Sequence, residues 1–323
     1  MADKSKIEWL KGPGGELGAS WNPIVAYRGR RRGWFCIHAS PGCMRCYAEA
    51  MNSWRGNELP YRVTSQNKLR IELDEKVLMQ PLHWKQSRKI FPCSMTDHLG
   101  SWVEDQWIYR MLAIAALTPQ HDYLFLTKRE KRLAPLFLNM NLRLRVAWEV
   151  REFLLGSHVT IQALNRLRNE WPLKNVWLGV SVEDQERADR RREQLELVAK
   201  LGWLTWVSYE PALETVDWVG WNFLKWFVWG GESGPRARPF EVGWGWRALD
   251  WCRLAGVPCF VKQMGRNVRV SMVTFQRRFG GVMSFNRFDQ KAGEFIIKLK
   301  NRKGGDPSEW PEGLRVREFP KVQ

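Results

Sequence analysis

From residue 88 onward the chain alternates short apolar runs with helical patterns, and this rhythm leaves few folds open. "KIFPCSMTD" (89–97) starts as a strand and ends in small polar residues. "EDQWIYRMLAIAAL" (104–117) repeats at helical spacing, with Trp107, Met111, Leu112, Ile114 and Ala115 on one face. "DYLFLTKR" (122–129) reads as a buried strand, followed by a long helical region over 130–170 and a strand in "NVWLGVSVED" (175–184). A charged amphipathic helix over 183–202 closes at Gly202, a suitable residue for a helix end. Strands in "WLTWVSYEP" (203–211), "KWFVWGGESG" (225–234) and "VPCFVKQ" (257–263) follow, with a helix in "GWGWRALDWCRLAG" (243–256). Strands alternating with helices mean a parallel sheet, and no GxGxxG opens any unit. Six or seven such units predict an α/β fold, a partial (β/α)6-type TIM-like barrel over residues 1–263. Residues 264–323 are turn-rich, with thirteen Lys/Arg against six Asp/Glu, and are expected to form a small basic C-terminal extension.

Polar residues recur where the strands end: Ser94 and Asp97, Thr127 and Lys128, Ser181 and Glu183, Ser208 and Glu210, Glu232, and Lys262. Any one of them is explained by capping of the next helix. Six in succession point to the end of a barrel where active sites are built.

Charge narrows the partner. Fifty-one Lys+Arg against 34 Asp+Glu give a net +17 and a sequence pI near 9.9, a balance that favours a polyanion, most simply nucleic acid. "YRGRRRGW" concentrates Arg28, Arg30, Arg31 and Arg32, and "GPRARP" sets Arg236 and Arg238 beside a glycine turn suited to phosphate. Twenty tryptophans are mostly core material, although some can stack on bases. No run approaches eighteen apolar residues, and "MADKSKIEWL" lacks the apolar region of a secretory signal. A monomer in the cytoplasm is expected, without membrane attachment.

Reduced thiols in that compartment are more often ligands than disulfides. "GWFCIHASPGCMRCYAEAM" (33–51) holds Cys36-x6-Cys43-x2-Cys46. Three thiols leave one over in disulfide pairing and are one short for a four-thiolate zinc site. Two readings stand: an iron–sulfur cluster held at three corners, or a zinc ion with His38 as fourth ligand. Cys93, Cys252 and Cys259 each lie in or beside apolar runs and read as buried free thiols.

A cysteine-rich loop near the start of a partial barrel resembles the radical S-adenosylmethionine enzymes, although their usual C-x3-C-x2-C spacing is shorter by three residues. More closely, the chain resembles a phage and bacterial three-cysteine-motif family related to them. The resemblance rests on "KIEW" (6–9), "WNP" (21–23), "SPGCMRCYAE" (40–49), "SMTD" (94–97), "LTKRE" (126–130), "WLGVSVEDQERAD" (177–189), "YEP" (209–211), "GGESGPRARP" (230–239), "GVPCFVKQ" (256–263) and "KGGDPSEWPE" (303–312). It implies a [4Fe-4S] cluster on Cys36, Cys43 and Cys46, whose fourth iron chelates S-adenosyl-L-methionine, and an electron donor protein. It implies a barrel of the radical SAM kind, with Ser94, Asp97, Lys128, Ser181, Glu183, Glu210 and Glu232 as the cofactor's cradle. Asp97 is the candidate for the methionyl amine, and Ser181 with Glu183 for the ribose hydroxyls. No residue is assigned to chemistry on the substrate. Relatives of this kind are associated with hypermodification of thymine in phage DNA, which implies an isomerase of an amino-acid-modified thymine, in the host cytoplasm if the chain is phage-encoded. Arg30, Arg31, Arg32, Arg236 and Arg238 would then hold DNA phosphates around an extruded base. A radical SAM base lyase of the repair kind and a zinc-stabilised nucleic-acid-binding protein without catalysis are the alternatives.

Overall fold

The computed structural model describes residues 5–12, 16–153, 158–279, 287–290 and 292–321. Its strands, in chain order, are β1 (Leu17–Trp21), β2 (Ile24–Arg28), β3 (Arg31–Gly33), β4 (Arg70–Leu73), β5 (Arg88–Pro92), β6 (Asp122–Thr127), β7 (Val176–Ser181), β8 (Leu204–Tyr209), β9 (Trp226–Gly230), β10 (Phe240–Glu241), β11 (Cys259–Gln263), β12 (Val268–Ser271), β13 (Arg287–Asp289) and β14 (Glu294–Ile297). Seven of them form one sheet in the order β1-β5-β6-β7-β8-β9-β11, with parallel pairing along it. A doubly wound sheet reverses its strand order at a switch point, whereas this order only advances. The fold is therefore α/β, with the strand order of a partial (β/α) barrel. Strands β7 and β9 are buried at every position, as strands covered on both faces must be.

The chain divides into two compact units, Met1–Val180 with Glu193–Thr205, and Ser181–Arg192 with Trp206–Gln323. In the first, helix Asp105–Leu117 buries Ile108, Met111, Leu112 and all of Ala113–Leu117. It packs on helices Leu142–Phe153 and His158–Asn169. Buried Asn175 caps its C-terminal end: Nδ2 donates to the carbonyls of Ala115 (3.0 Å) and His121 (2.9 Å), which places β7 beside β6. The helical region expected over 130–170 is broken into helices Glu130–Phe137, Leu142–Phe153 and His158–Asn169. At the first break the Asn139 side chain accepts from the Asn141 amide (2.9 Å), a local turn bond that competes with helix. A three-stranded antiparallel sheet, β3-β2-β4, carries the arginine run. Its β2–β3 turn is Gly29-Arg30, with Gly29 at φ +57° as a two-residue hairpin requires.

In the second unit β8, β9 and β11 bury a tryptophan-rich core. Trp218 meets Tyr209 at 5.2 Å and Phe227 at 4.6 Å, both edge-on. Helix Val242–Ala255 ends at Gly256 in the left-handed region (φ 66°). A further sheet, β10-β12-β14-β13, draws β10 from before residue 264 and the others from after it. Residues 280–286, part of the basic C-terminal stretch, lie outside the described residues. Cys93, Cys252 and Cys259 are buried thiols, as expected.

Candidate functional site

The cysteine loop is held open at both ends by buried amides. Asn52, fully buried on helix Tyr47–Arg55, accepts from the Trp34 amide (2.9 Å) and donates to the Leu59 carbonyl (3.0 Å) and to Asn57 Oδ1 (2.9 Å). Asn57 in turn donates to the carbonyls of Trp34 (2.9 Å) and Ala26 (3.2 Å). Chain entering the loop before Cys36 is thus fixed to chain leaving it after Cys46. Between them, Cys43 lies in the short 3-10 turn Pro41–Arg45, and its Sγ accepts from the Ala39 amide (3.4 Å). Cys46 is the N-cap of helix Tyr47–Arg55, where backbone amides favour a thiolate. Cys36 and Cys46 pack, with Trp34, on one apolar cluster of Ala48, Tyr61 and Met95.

This loop sits over the ends of β5 and β6. Tyr47 Oη donates to the Ser94 carbonyl (2.6 Å), Tyr61 Oη to the Met95 carbonyl (2.8 Å), and Thr96 Oγ1 to the Phe35 carbonyl. Ser94 Oγ exchanges hydrogen bonds with the Asn22 amide group (3.1 Å). Asp97 ties β5 to β6: Oδ1 accepts from Thr127 Oγ1 (2.7 Å) and the Leu99 amide (3.0 Å), and Oδ2 from the Lys128 amide (2.9 Å). Arg129, which spacing gave no reason to single out from its neighbours in "LTKRE", donates to the Ile37 carbonyl (2.5 Å) and lies over the Trp102 ring at 4.7 Å. Burial pushes the Cys36 thiol well up; Asp97 adds to that, Arg129 opposes it, and Cys46 and Cys43 push it further. Burial raises the Cys46 thiol as well, while the amides of Glu49 and Ala48 draw it down. Cys36 therefore lies in the field of both other thiols.

The donor set at this locus is three thiols. Ligands that share one zinc ion stand roughly 4 Å apart, because each Zn–S bond is about 2.3 Å. Among the described residues no three His, Cys, Asp or Glu side chains are grouped to hold one metal ion. His38 Nε2, the fourth ligand in the zinc reading, is bound instead to Glu49 Oε2 at 2.8 Å, and Glu49 Oε1 accepts from the Tyr61 amide (2.9 Å). By the chemistry of the donor set, Cys36, Cys43 and Cys46 are the residues that would hold a cluster at three corner irons.

The second unit holds the other expected residues. Glu183 is fully buried and paired with Arg191 at 2.8 Å, and Arg191 also donates to the Ser181 carbonyl (2.5 Å). Glu210 pairs with Lys262 (2.9 Å) and accepts from Ser208 Oγ (3.1 Å). Glu232 takes the Arg238 guanidinium at both oxygens (2.5 and 3.0 Å) and the Arg238 amide (2.8 Å). Each strand-end carboxylate of β7, β8 and β9 is thus balanced by a cation. Of the arginines expected on phosphate, Arg31 pairs with Glu58, Arg32 with Asp74 (2.8 Å), and Arg238 with Glu232, while Arg30 and Arg236 stand exposed.

A family model described as a protein of unknown function, DUF5131, matches residues 4–293. The chain belongs to that family. No curated protein matches it. Among solved structures, this DUF5131 protein is similar to a spore photoproduct lyase variant with bound AdoMet and dinucleoside spore photoproduct, at 10% identity and TM-score 0.40, over 87% of this chain and 68% of that one. It is also similar to spore photoproduct lyase complexed with dinucleoside spore photoproduct, at 11% identity and TM-score 0.38, over 91% and 72%. Among the described residues no helix is long and apolar enough to cross a membrane.

Proposed function

We propose that this DUF5131 protein is a radical S-adenosylmethionine enzyme acting on a modified base in DNA. The observation that carries the reading is the shared environment of Cys36, Cys43 and Cys46 at the C-terminal ends of β5 and β6, where barrel enzymes place their chemistry. The three thiolates would hold a [4Fe-4S] cluster. With S-adenosylmethionine and an electron donor protein, the cluster would supply one-electron reductive cleavage of the sulfonium and so radical chemistry on the substrate.

The chain's own contribution is to position and to exclude water. Trp34, Tyr61 and Met95 give the thiols an apolar floor. The amides of Ala39, Ala48 and Glu49 stabilise negative charge on sulfur. Asp97 fixes the β5 and β6 loops that carry Ser94 and Lys128 toward the cofactor. Ser181, Glu183, Glu210 and Glu232, in the second unit, are proposed as further cofactor residues, and there Glu183 acts through Arg191 on the backbone at Ser181. Exposed Arg30 and Arg236 take DNA phosphates, and Arg31, Arg32 and Arg238 exchange their carboxylates for phosphate when DNA binds. The outcome on the base is isomerisation of an amino-acid-modified thymine.

Anaerobic reconstitution tests this directly. The protein should turn brown, lose its iron when Cys36, Cys43 or Cys46 is replaced by Ala, and keep it when Cys93, Cys252 or Cys259 is replaced. With reductant and S-adenosylmethionine it should form 5′-deoxyadenosine. Full iron in Cys36→Ala, or a colourless protein with one zinc per chain, overturns the reading. Mass spectrometry of the treated base then separates an isomer, whose mass is unchanged, from a cleaved product.

A further inference from the structure

A second site lies within the second unit, between the start of helix Val242–Ala255 and helix Met272–Phe279. It is a cavity of about 290 Å³ lined by Trp244, Trp246, Arg247, Arg277 and Arg278, among others. That volume is near the small end of ligand pockets and suits one planar group rather than a duplex. Its position follows from helical spacing: Trp244 and Arg247 are three residues apart and share a face. Gly243 keeps the floor open, because a Cβ there would collide with the side chains of Glu241 and Thr274.

Three features make this a built site. Trp246, 9% exposed, is part of the pocket's inner wall. Arg278 is fixed: it pairs with Asp250 and lies over the Trp246 ring at 4.8 Å. Arg247 and Arg277 are exposed at the rim and carry no ion pair among the described residues. The lining sets three arginines against a single acid, Glu241, whose Oε1 accepts from the Ser271 amide (3.0 Å). Trp244, half-buried, is steadied edge-on by Phe240 at 6.1 Å.

We infer that this pocket binds one nucleotide of a single-stranded nucleic acid, with the base on Trp244 and its flanking phosphates on Arg247 and Arg277. Stacking on an aromatic platform beside arginines is how proteins hold unpaired strands. The inference does not rest on radical chemistry, and it is tested on the full chain as purified, without added iron.

The probe is a 5′-fluorescein oligodeoxynucleotide read by anisotropy across a salt series. Arg247→Ala with Arg277→Ala should flatten the log–log salt dependence by about 1.4, at roughly 0.7 per single-strand phosphate contact. Trp244→Ala should weaken binding about tenfold or more, whereas Trp244→Phe should retain most of it. In competition, a mononucleotide should displace the probe at far lower concentration than inorganic phosphate. Wild-type affinity and salt slope in the double variant, with its melting temperature unchanged, overturn the inference. Inorganic phosphate competing as well as the mononucleotide also overturns it, since the pocket would then read an anion and no base.

Discussion

Replacing Asn52 by Ala should separate the cysteine loop from its anchors. The side chain is fully buried and serves the Trp34 amide at 2.9 Å and the Leu59 carbonyl at 3.0 Å, with a longer bond from the Asn57 amide at 3.4 Å. Leaving a buried polar group without its partner costs about 1–3 kcal/mol. Trp34 and Leu59 are only partly buried, so water recovers some of that, and about 3 kcal/mol is the expected loss for the pair. Asn57 Oδ1 loses one donor but keeps the Leu59 amide (3.1 Å), so it adds little. For a cooperative unit near two hundred residues this corresponds to a fall in melting midpoint of roughly 10 °C. Thermal and urea unfolding followed by circular dichroism measure it, with iron per chain after anaerobic reconstitution as the second readout, which should also fall. Asn52→Asp should be worse near neutral pH, because it turns a donor into a charged acceptor facing two oxygens, and it should recover partly on acidification. A loss under about 1 kcal/mol in Asn52→Ala, with iron content unchanged, would show that the bracket does not position the loop.

Two further outcomes follow from the charged and titrating groups. Burial holds the His98 pKa down to about 4, against 6.5 for the free side chain, so the unfolded chain takes up a proton first as pH falls. The stability associated with neutral His98 is present above pH 6.5, is lost between there and pH 4, and amounts to roughly 3 kcal/mol; the stability of the parent relative to His98→Leu, read from urea unfolding, should fall by about that amount as pH drops through the window, and a pH-independent difference refutes it. Arg30→Ala should reduce the duplex-DNA salt slope by about 0.9, and Arg32→Ala by less, because Arg32 must first release Asp74; equal effects would show that the ion pair does not compete with phosphate.

The barrel rhythm was legible because strands buried on both faces are written as unbroken apolar runs, as in "VWLGVS" and "WFVWG". Strand β1 was not: "LGASW" is short, mixes Gly and Ser with apolar residues, and finds its partner β5 some seventy residues later. The antiparallel sheet carrying the arginine run escaped for the same reason, since β2 is completed by β4 across the whole cysteine loop. At the site, the cysteines declared themselves by crowding. Their supports did not, because Asn52, Asn57, Glu49 and Arg129 are ordinary helix and loop residues until folding brings carbonyls and amides against them. Charge read from composition also overstated what is available, as Glu58, Asp74 and Glu232 each claim an arginine that the run of basic residues seemed to leave open.

The Asn52–Asn57 bracket has a consequence for biogenesis. A zinc finger folds because metal binding supplies the missing stability, so its chain is unfolded until loaded. Here the two ends of the ligand loop are joined by side-chain amides and backbone groups alone. The ordering entropy of the loop is then met by protein contacts during folding, and insertion of the proposed cluster would be a later, separable event. On the proposed reading, a molecule that lost its cluster would remain folded and able to take up another.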